Sequence, residues 1–208
     1  MRYTLFAIVM LVSMVAAACA EPSVSATLTV QLVEATPQNV DRTVEVLTRR
    51  FTEILPAWKS SVTASVIDRT ITFTFRGAAP AEDELHYLTF TRGELLVGPA
   101  DDPRHSWVSD RDVRDAAVTH IGDDPFLNVR LNPDASRRLA EETAKNVGRT
   151  LLVTWDGQEI LTAPILGPFG EEFVFNAPSI SEGQLMRVVL KAGRLPTTVD
   201  NADFKHGV

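Results

Sequence analysis

The order of hydrophobic periods between residues 26 and 98 constrains the fold of this chain more than any other feature. Residues 26–33 alternate apolar and polar side chains, as the residues of a half-buried strand do. Residues 62–66 and 71–75 repeat that alternation on the two sides of a short turn at Asp68-Arg69, and therefore predict a hairpin.

Two amphipathic segments connect these strands. Apolar side chains recur at three- and four-residue spacing from Val40 to Leu55, behind Pro37 at the first helical position. Ala79-Pro80 opens a shorter helix, and residues 93–98 read as a fourth strand. The order strand, helix, strand, strand, helix, strand predicts an α+β fold whose first part, residues 26–98, is a ferredoxin-like βαββαβ base subdomain.

Residues 99–196 predict a second α+β subdomain with antiparallel strands, and the polar residues 197–208 are expected to form a disordered tail. Proline, glycine and capping residues mark the element boundaries of the second subdomain: Asn132-Pro133 and Gly148 bound a long helix, Asp156-Gly157 forms a hairpin turn, and Ser181 and Gly193 bound the last helix.

The N-terminus has the anatomy of a bacterial export signal. Arg2 precedes an apolar stretch from about Leu5 to Ala18, and small residues surround Cys19. The stretch of roughly 14 residues is shorter than the ~20 that a helix needs to span a bilayer, and no later segment is long and apolar enough to take over. We expect residues 1–18 to be a lipoprotein-type signal peptide, followed by a linker at residues 19–25.

Two processing routes are compatible with this segment. Cleavage before Cys19 would leave its thiol lipidated and would tether the mature protein to a membrane, whereas cleavage after Ala20 would discard the cysteine with the signal. Cys19 is the only cysteine, so a disulfide framework is excluded, and a lipid thioether would explain an unpaired thiol in an oxidising compartment. We therefore favour lipidation of Cys19 and a location in the cell envelope, outside the cytoplasm.

Composition and motifs argue against several classes of function. The formal net charge of −7 becomes more negative when Arg2 is removed, which favours neither nucleic acid nor anionic lipid as a partner. No Gly-x-Ser-x-Gly elbow or phosphate-cradling loop is present, so neither an enzyme nor a small-molecule cofactor is expected. His120 with Asp123 and Asp124 is the best candidate metal cluster, and an exposed loop explains it better than a metal site.

Several motifs in the second half together resemble SecD, a protein-export membrane subunit. A helix reading T-x-x-N-V-G precedes a strand, a D-G turn and an A-P pair, and a later helix ends in G-x-L-P. The matching residues are Thr143, Asn146, Val147, Gly148, Asp156, Gly157, Ala163, Pro164, Gly193, Leu195 and Pro196. The resemblance extends more loosely back to about Leu28. We interpret these residues as determinants of the fold, because glycine and proline at such positions end helices and form turns.

The resemblance implies a first periplasmic domain made of base and head subdomains, which engages polypeptide on the outer side of the translocon. Because the chain ends soon after Pro196, we expect the domain without the transmembrane bundle and its proton-driven motor. Phe169, Phe173 and Phe175 are candidate contacts with a partner, although packing in the core or between subdomains explains them better.

The expected function is therefore that of a noncatalytic envelope lipoprotein that binds polypeptide or an envelope protein, in association with Sec translocon components. The alternatives are a structural envelope lipoprotein unrelated to secretion and, less well supported, an unrecognised hydrolase.

Overall fold

The computed structural model describes residues 24–34, 36–55, 60–122 and 124–207. The signal segment and Cys19 lie outside these residues. The helices are α1 (Pro37–Ile54), α2 (Glu82–Phe90), α3 (Pro133–Lys145) and α4 (Ile180–Ala192), with a 3₁₀ turn at Asp110–Asp112. The strands are β1 (Val24–Leu32), β2 (Ser61–Ile67), β3 (Thr70–Arg76), β4 (Leu95–Pro99), β5 (Val108–Ser109), β6 (Val113–Ile121), β7 (Asp124–Leu131), β8 (Thr150–Trp155), β9 (Gln158–Pro164), β10 (Glu172–Asn176) and β11 (Val199–His206).

The first sheet is antiparallel and has the strand order β11-β1-β3-β2. Alternate residues of β1 and β3 are buried, as their period-two pattern predicts. Phe51 of α1 packs edge-on against Phe73 and Phe75 of β3, at centroid distances of 5.1 and 5.4 Å. These aromatic contacts fix α1 over one face of the sheet, and α2 lies against β11.

The prediction that residues 93–98 supply the last strand of this sheet was wrong. Strand β4 pairs with β5 and β8 in another sheet, and β11 occupies the free edge of β1. The prediction of a disordered tail at residues 197–208 was therefore also wrong. In β11, Ala202 lies opposite Val30 and Phe204 lies opposite Leu28. Both side chains of β11 pack against the core, which explains why a segment rich in polar residues forms a strand. The base is ferredoxin-like in strand order, with the head inserted between α2 and β11.

The head contains two further antiparallel sheets, ordered β10-β7-β6 and β5-β4-β8-β9. Helix α4 packs on β6 and β7, where a Cβ at Gly183 would lie 3.0 Å from the Ala177 Cβ. The β8–β9 hairpin turns at Asp156 and Gly157, whose φ angles of 49° and 81° are those of a type I′ turn. The hairpin predicted from Asp-Gly is confirmed.

Side-chain caps set the helix starts. The Thr36 hydroxyl accepts from the Asn39 N–H at 3.2 Å, and the Asn132 side chain accepts from the Ala135 N–H at 2.9 Å. The prediction for α4 was displaced by two residues: the N-cap is Ser179, whose hydroxyl accepts from the Glu182 N–H, and Ser181 lies inside the helix.

Candidate functional site

The motif residues named in the sequence analysis separate into two sites. The first is the neck through which the chain enters the head at residues 91–94 and leaves it at residues 193–196. Asp156 reaches this neck from the tip of the β8–β9 hairpin. Its carboxylate accepts from the Glu94 N–H at 2.6 Å and from the Gly93 N–H at 3.2 Å, and its own N–H donates to the Glu94 carbonyl at 2.9 Å. The hairpin turn is thereby held against the entry segment.

Gly193 and Leu195 lie on the exit side of the neck. The Leu195 N–H donates to the Arg92 carbonyl at 2.9 Å, so entry and exit segments are joined directly. Gly193 ends α4 with a φ of 95°, in the left-handed region that glycine tolerates. The D-G and G-x-L-P motifs, whose glycines are 36 residues apart along the chain, meet at this neck.

Arg50 of α1 is the buried cation at this neck, and it has no exposed surface. Its Nη1 donates to the carbonyls of Leu88 and Thr91 at 2.7 and 2.5 Å. Its Nη2 donates to the carbonyls of Arg92 and Gly193 at 3.1 and 2.9 Å. Burial lowers the pKa of Arg50 to about 10, so the guanidinium remains protonated at neutral pH. One side chain therefore bridges the entry and the exit of the head.

The role of Arg50 was not predicted, although a signal exists in the sequence. An arginine lies in line with the apolar stripe of α1, next to Phe51, where a charged residue needs several partners. Gly93 was missed as well. A Cβ at Gly93 would lie 2.6 Å from Val189 Cγ1 and 3.1 Å from Arg50 Nη2, and its φ is 86°, so only glycine fits there.

The second site contains the T-x-x-N-V-G motif and lies in the head. The Thr143 hydroxyl donates to the Leu139 carbonyl at 2.7 Å and accepts from the Phe169 N–H at 2.9 Å. The Gly148 N–H donates to the Ile165 carbonyl at 2.9 Å. The motif therefore holds the loop from residue 165 to residue 169 against the end of α3.

The other motif residues of the head lie at the end of α3 or near the end of β9. The Asn146 side chain donates to the Glu142 carbonyl and accepts from Arg149 Nη1, each at 2.7 Å, and so closes the end of α3. Val147 and Pro164 are exposed, and Ala163 lines the cavity described next.

An apolar cavity of about 380 Å³ opens between α3, the β4-β8-β9 part of its sheet, β10 and the loop before β10. We call it the head cavity. It is lined by Val97, Leu139, Leu151, Leu161, Ala163, Phe169, Glu172, Phe173 and Val174.

The three phenylalanines predicted as partner contacts differ in position. Phe169 and Phe173 line the head cavity, whereas Phe175 does not and is only 2% exposed. Its ring stacks on that of Phe173 at 6.3 Å. Phe175 is thus a core residue in this structure, and a contact with a partner would have to be made by its neighbours.

The rim of the head cavity exposes apolar surface and strand edges. Leu166 is 85% exposed and Val174 is 44% exposed. Strands β9 and β10 are each last in their sheets, and they contact each other beside the cavity. Glu172 is the acidic lining residue. Its carboxylate accepts from Arg130 Nε at 2.6 Å and from Asn128 Nδ2 at 3.2 Å, and the Arg130 hydrogen bond lowers its pKa.

The candidate metal residues are not assembled into a site in the part of the chain that the structure describes. His120 is exposed on β6, opposite Pro125, and Asp123 lies outside the described residues. Within the described ranges, no three His, Cys, Asp or Glu side chains are grouped closely enough to hold a metal ion. Among the described helices, none combines the length and the apolar character needed to cross a membrane.

The fold and these two sites define a class: an α+β domain in which a head with two antiparallel sheets is inserted into a ferredoxin-like base. Residues 101–197 match the family described as SecDF, P1 head subdomain. The resemblance to SecD stated from the sequence motifs is confirmed, as is the α+β fold class. Residues 101–197 are therefore similar to the SecDF P1 head subdomain, and the domain as a whole has a SecDF-like fold.

Several known proteins and solved structures are similar to this chain. Protein translocase subunit SecD of Dictyoglomus turgidum is 28% identical over 171 residues, which cover 80% of this chain and 41% of that protein. The SecDF crystal structure in its super-membrane-facing form has a TM-score of 0.73, with 17% identity over 86% of this chain and 30% of that one. A structure described as that of a membrane component SecDF that enhances protein export has a TM-score of 0.69, with 17% identity over 85% of this chain and 98% of that one. The chain spans about two-fifths of the length of the curated relatives it matches.

Proposed function

We propose that this protein is a noncatalytic, extracytoplasmic binding protein that holds an extended polypeptide at the head cavity as part of protein export. The observation that carries this proposal is the apolar head cavity, which opens between the edge strands β9 and β10.

The geometry suits an extended chain better than a compact ligand. A strand edge binds an extended polypeptide through main-chain hydrogen bonds with little dependence on sequence. The cavity beside these edges takes apolar side chains, and its volume of about 380 Å³ lies within the range of about 300–1,000 Å³ usual for ligand pockets. Affinity would then come from burial of apolar side chains, and the strand edge would set their spacing.

The position of Phe169 supports the same use. Its N–H is held by the buried Thr143 hydroxyl, so the loop that forms one wall of the cavity is tied to α3. Leu166 lies on the same loop and is exposed beside the cavity. A wall fixed in this way costs less conformational entropy on binding than a free loop would.

The comparisons support a connection with export. The similar structure is described as a SecDF component that enhances protein export, and the SecD relative is named as a translocase subunit. We extend this to the present chain as a role beside Sec translocon components, with a membrane tether through lipidated Cys19. The alternative is a structural envelope lipoprotein that does not handle export substrates.

Binding can be measured with two fluorescein-labelled 15-residue peptides, one carrying three leucines at alternate positions and one with serine in their place. Val174→Asp puts a charge at the rim of the cavity, on an edge strand. Val66→Asp is its matched control, because Val66 is also 44% exposed and also lies on an edge strand, in the base.

We expect Val174→Asp to weaken binding of the leucine peptide at least fivefold in fluorescence polarisation, with Val66→Asp unchanged and the serine peptide bound by neither. Equal binding of the two peptides, or equal effects of the two variants, would exclude the head cavity as the binding site.

Two experiments in cells separate the export role from the structural alternative. A photoreactive residue at Leu166 should crosslink to many nascent secretory chains, and one at Ile67, which is 75% exposed in the base, should not. Crosslinking of Leu166 to one fixed envelope protein alone would favour the structural alternative. The intact mass of the membrane-extracted protein shows whether it begins at a lipidated Cys19.

A further inference from the structure

A cleft of about 560 Å³ opens at the neck between base and head, and arginine dominates its lining. Arg42 comes from α1, Arg92 from the entry segment, Arg111 from the 3₁₀ turn and Arg194 from the exit segment. The other lining residues are Asp110, Gly193, Leu195 and Pro196. We call this the neck cleft. Four guanidinium groups from four separate segments converge here on a protein that is acidic overall.

Two of these arginines are already paired. Arg42 Nη1 lies 2.6 Å from a Glu45 carboxylate oxygen, and Arg194 forms an ion pair with Glu94. Arg42 and Arg194 are therefore partly neutralised within the protein, and Arg42 shares Glu45 with Arg49.

The other two arginines differ. Within the residues that the structure describes, neither Arg92 nor Arg111 has a side-chain hydrogen bond or an ion pair, and the Arg92 Nε is buried without an acceptor. A buried guanidinium nitrogen without an acceptor is costly, and such groups ordinarily have a partner. Arg92 and Arg111 are therefore the free donors of the cleft.

Asp110 is the acidic residue of the lining. It is half-buried, and burial raises its pKa although the nearby Arg194 and Arg111 oppose that shift. Its carboxylate offsets one of the two free charges. The cleft consequently retains a net positive charge, in a site partly shielded from water, where charge interactions are stronger than on an open surface.

We propose that the neck cleft binds a phosphate group, with Arg92 and Arg111 as its principal donors and Arg42 and Arg194 beside them. A phosphate group can accept hydrogen bonds from several guanidinium forks at once, whereas a carboxylate has two oxygens to offer. A phosphodiester or a phosphate monoanion carries a negative charge, which complements the positive charge of the cleft. Free phosphate and a phospholipid headgroup both present this group, and the test below distinguishes these two sources.

The full-length chain is titrated at constant ionic strength with two probes, inorganic phosphate and a monomeric short-chain phosphatidylglycerol. Binding is followed through the arginine Nε–Hε signals in NMR spectra. The expected result is saturable shifts of the Arg92 and Arg111 signals. A headgroup ligand is indicated if the lipid binds at least fivefold more tightly than phosphate, and a free phosphate ligand if the two bind equally.

Three variants sharpen the test. Arg111→Gln, at an exposed position that does not threaten folding, should weaken binding at least fivefold. Asp110→Asn should strengthen it about threefold, because it removes the competing charge. Arg137→Gln, an exposed arginine of α3 paired with Asp134, is the matched control and should change nothing. Shifts spread evenly over all arginines, or equal effects of Arg111→Gln and Arg137→Gln, would overturn the proposal.

Discussion

Replacing Arg50 by methionine should destabilise the whole domain, because this side chain closes the neck of the inserted head. Methionine has nearly the helix propensity of arginine and a similar unbranched stem, so α1 itself should be little affected. What is lost is the guanidinium, which donates to four carbonyl oxygens at 2.5 to 3.1 Å.

The magnitude follows from the fate of these carbonyls. The Arg92 carbonyl keeps the Leu195 N–H as a donor, whereas the carbonyls of Leu88, Thr91 and Gly193 lose the guanidinium. A buried carbonyl that loses its donor costs about 1–3 kcal/mol. The variant no longer buries a charge, which offsets part of that cost, so we take about 1 kcal/mol for each of the three carbonyls. The free energy of unfolding should therefore fall by about 3 kcal/mol, which corresponds to a fall in Tm of about 6–12 °C for a domain of this size.

Urea denaturation followed by fluorescence of the buried Trp107 and Trp155 measures this loss. Arg49→Met is the matched control, since Arg49 is the preceding residue of α1 and makes an exposed ion pair with Glu45. That variant should lose less than about 0.5 kcal/mol, as exposed pairs do. If the two variants are equally stable, the bridge at the neck does not stabilise the domain and the reasoning fails.

Three further predictions concern single contacts. Asp156→Asn keeps the positive φ, which asparagine tolerates, but replaces one acceptor oxygen by an NH₂ group. We expect the free energy of unfolding to fall by about 1–2 kcal/mol and the Gly93 amide to exchange faster with solvent. Unchanged exchange of this amide would contradict the prediction. Thr143→Val preserves shape and should cost about 1 kcal/mol, with faster exchange of the Phe169 amide as the specific sign of a loosened cavity wall. Deleting residues 199–208 should lower the free energy of unfolding by more than about 3 kcal/mol, because β11 closes the base sheet; a truncated chain as stable as the intact one would show that the strand is dispensable.

Local pattern predicted most of the elements because each element carries its own period or cap. The stripe of α1, the alternation in β3 and the Asp-Gly turn all depend on residues close in sequence, and all three are present. The starts of α2 and α4 were displaced by about two residues, since neighbouring serines or prolines offer equally good local signals.

Strand pairing was predicted less well because it is a tertiary choice. The sequence of β4 fits either sheet, and only the competition between β4 and β11 for the edge of β1 decides which one binds there. The burial of Arg50 could be suspected from its place in an apolar stripe, but its four acceptors come from segments up to 143 positions away along the chain. The neck cleft is hidden from sequence for the same reason.

The insertion of the head explains why so many of the distinctive residues lie at the neck. Strand β11 follows the head in the chain but completes the base sheet, so the base closes only when the two ends of the head are brought together. Arg50 donates to carbonyls at both ends, and the Leu195 N–H joins them a second time. The neck cleft opens at the same place, between Arg92 on the entry side and Arg194 on the exit side. A phosphate bound there would contact base, entry and exit together, and would stabilise the arrangement in which the head is held on its base.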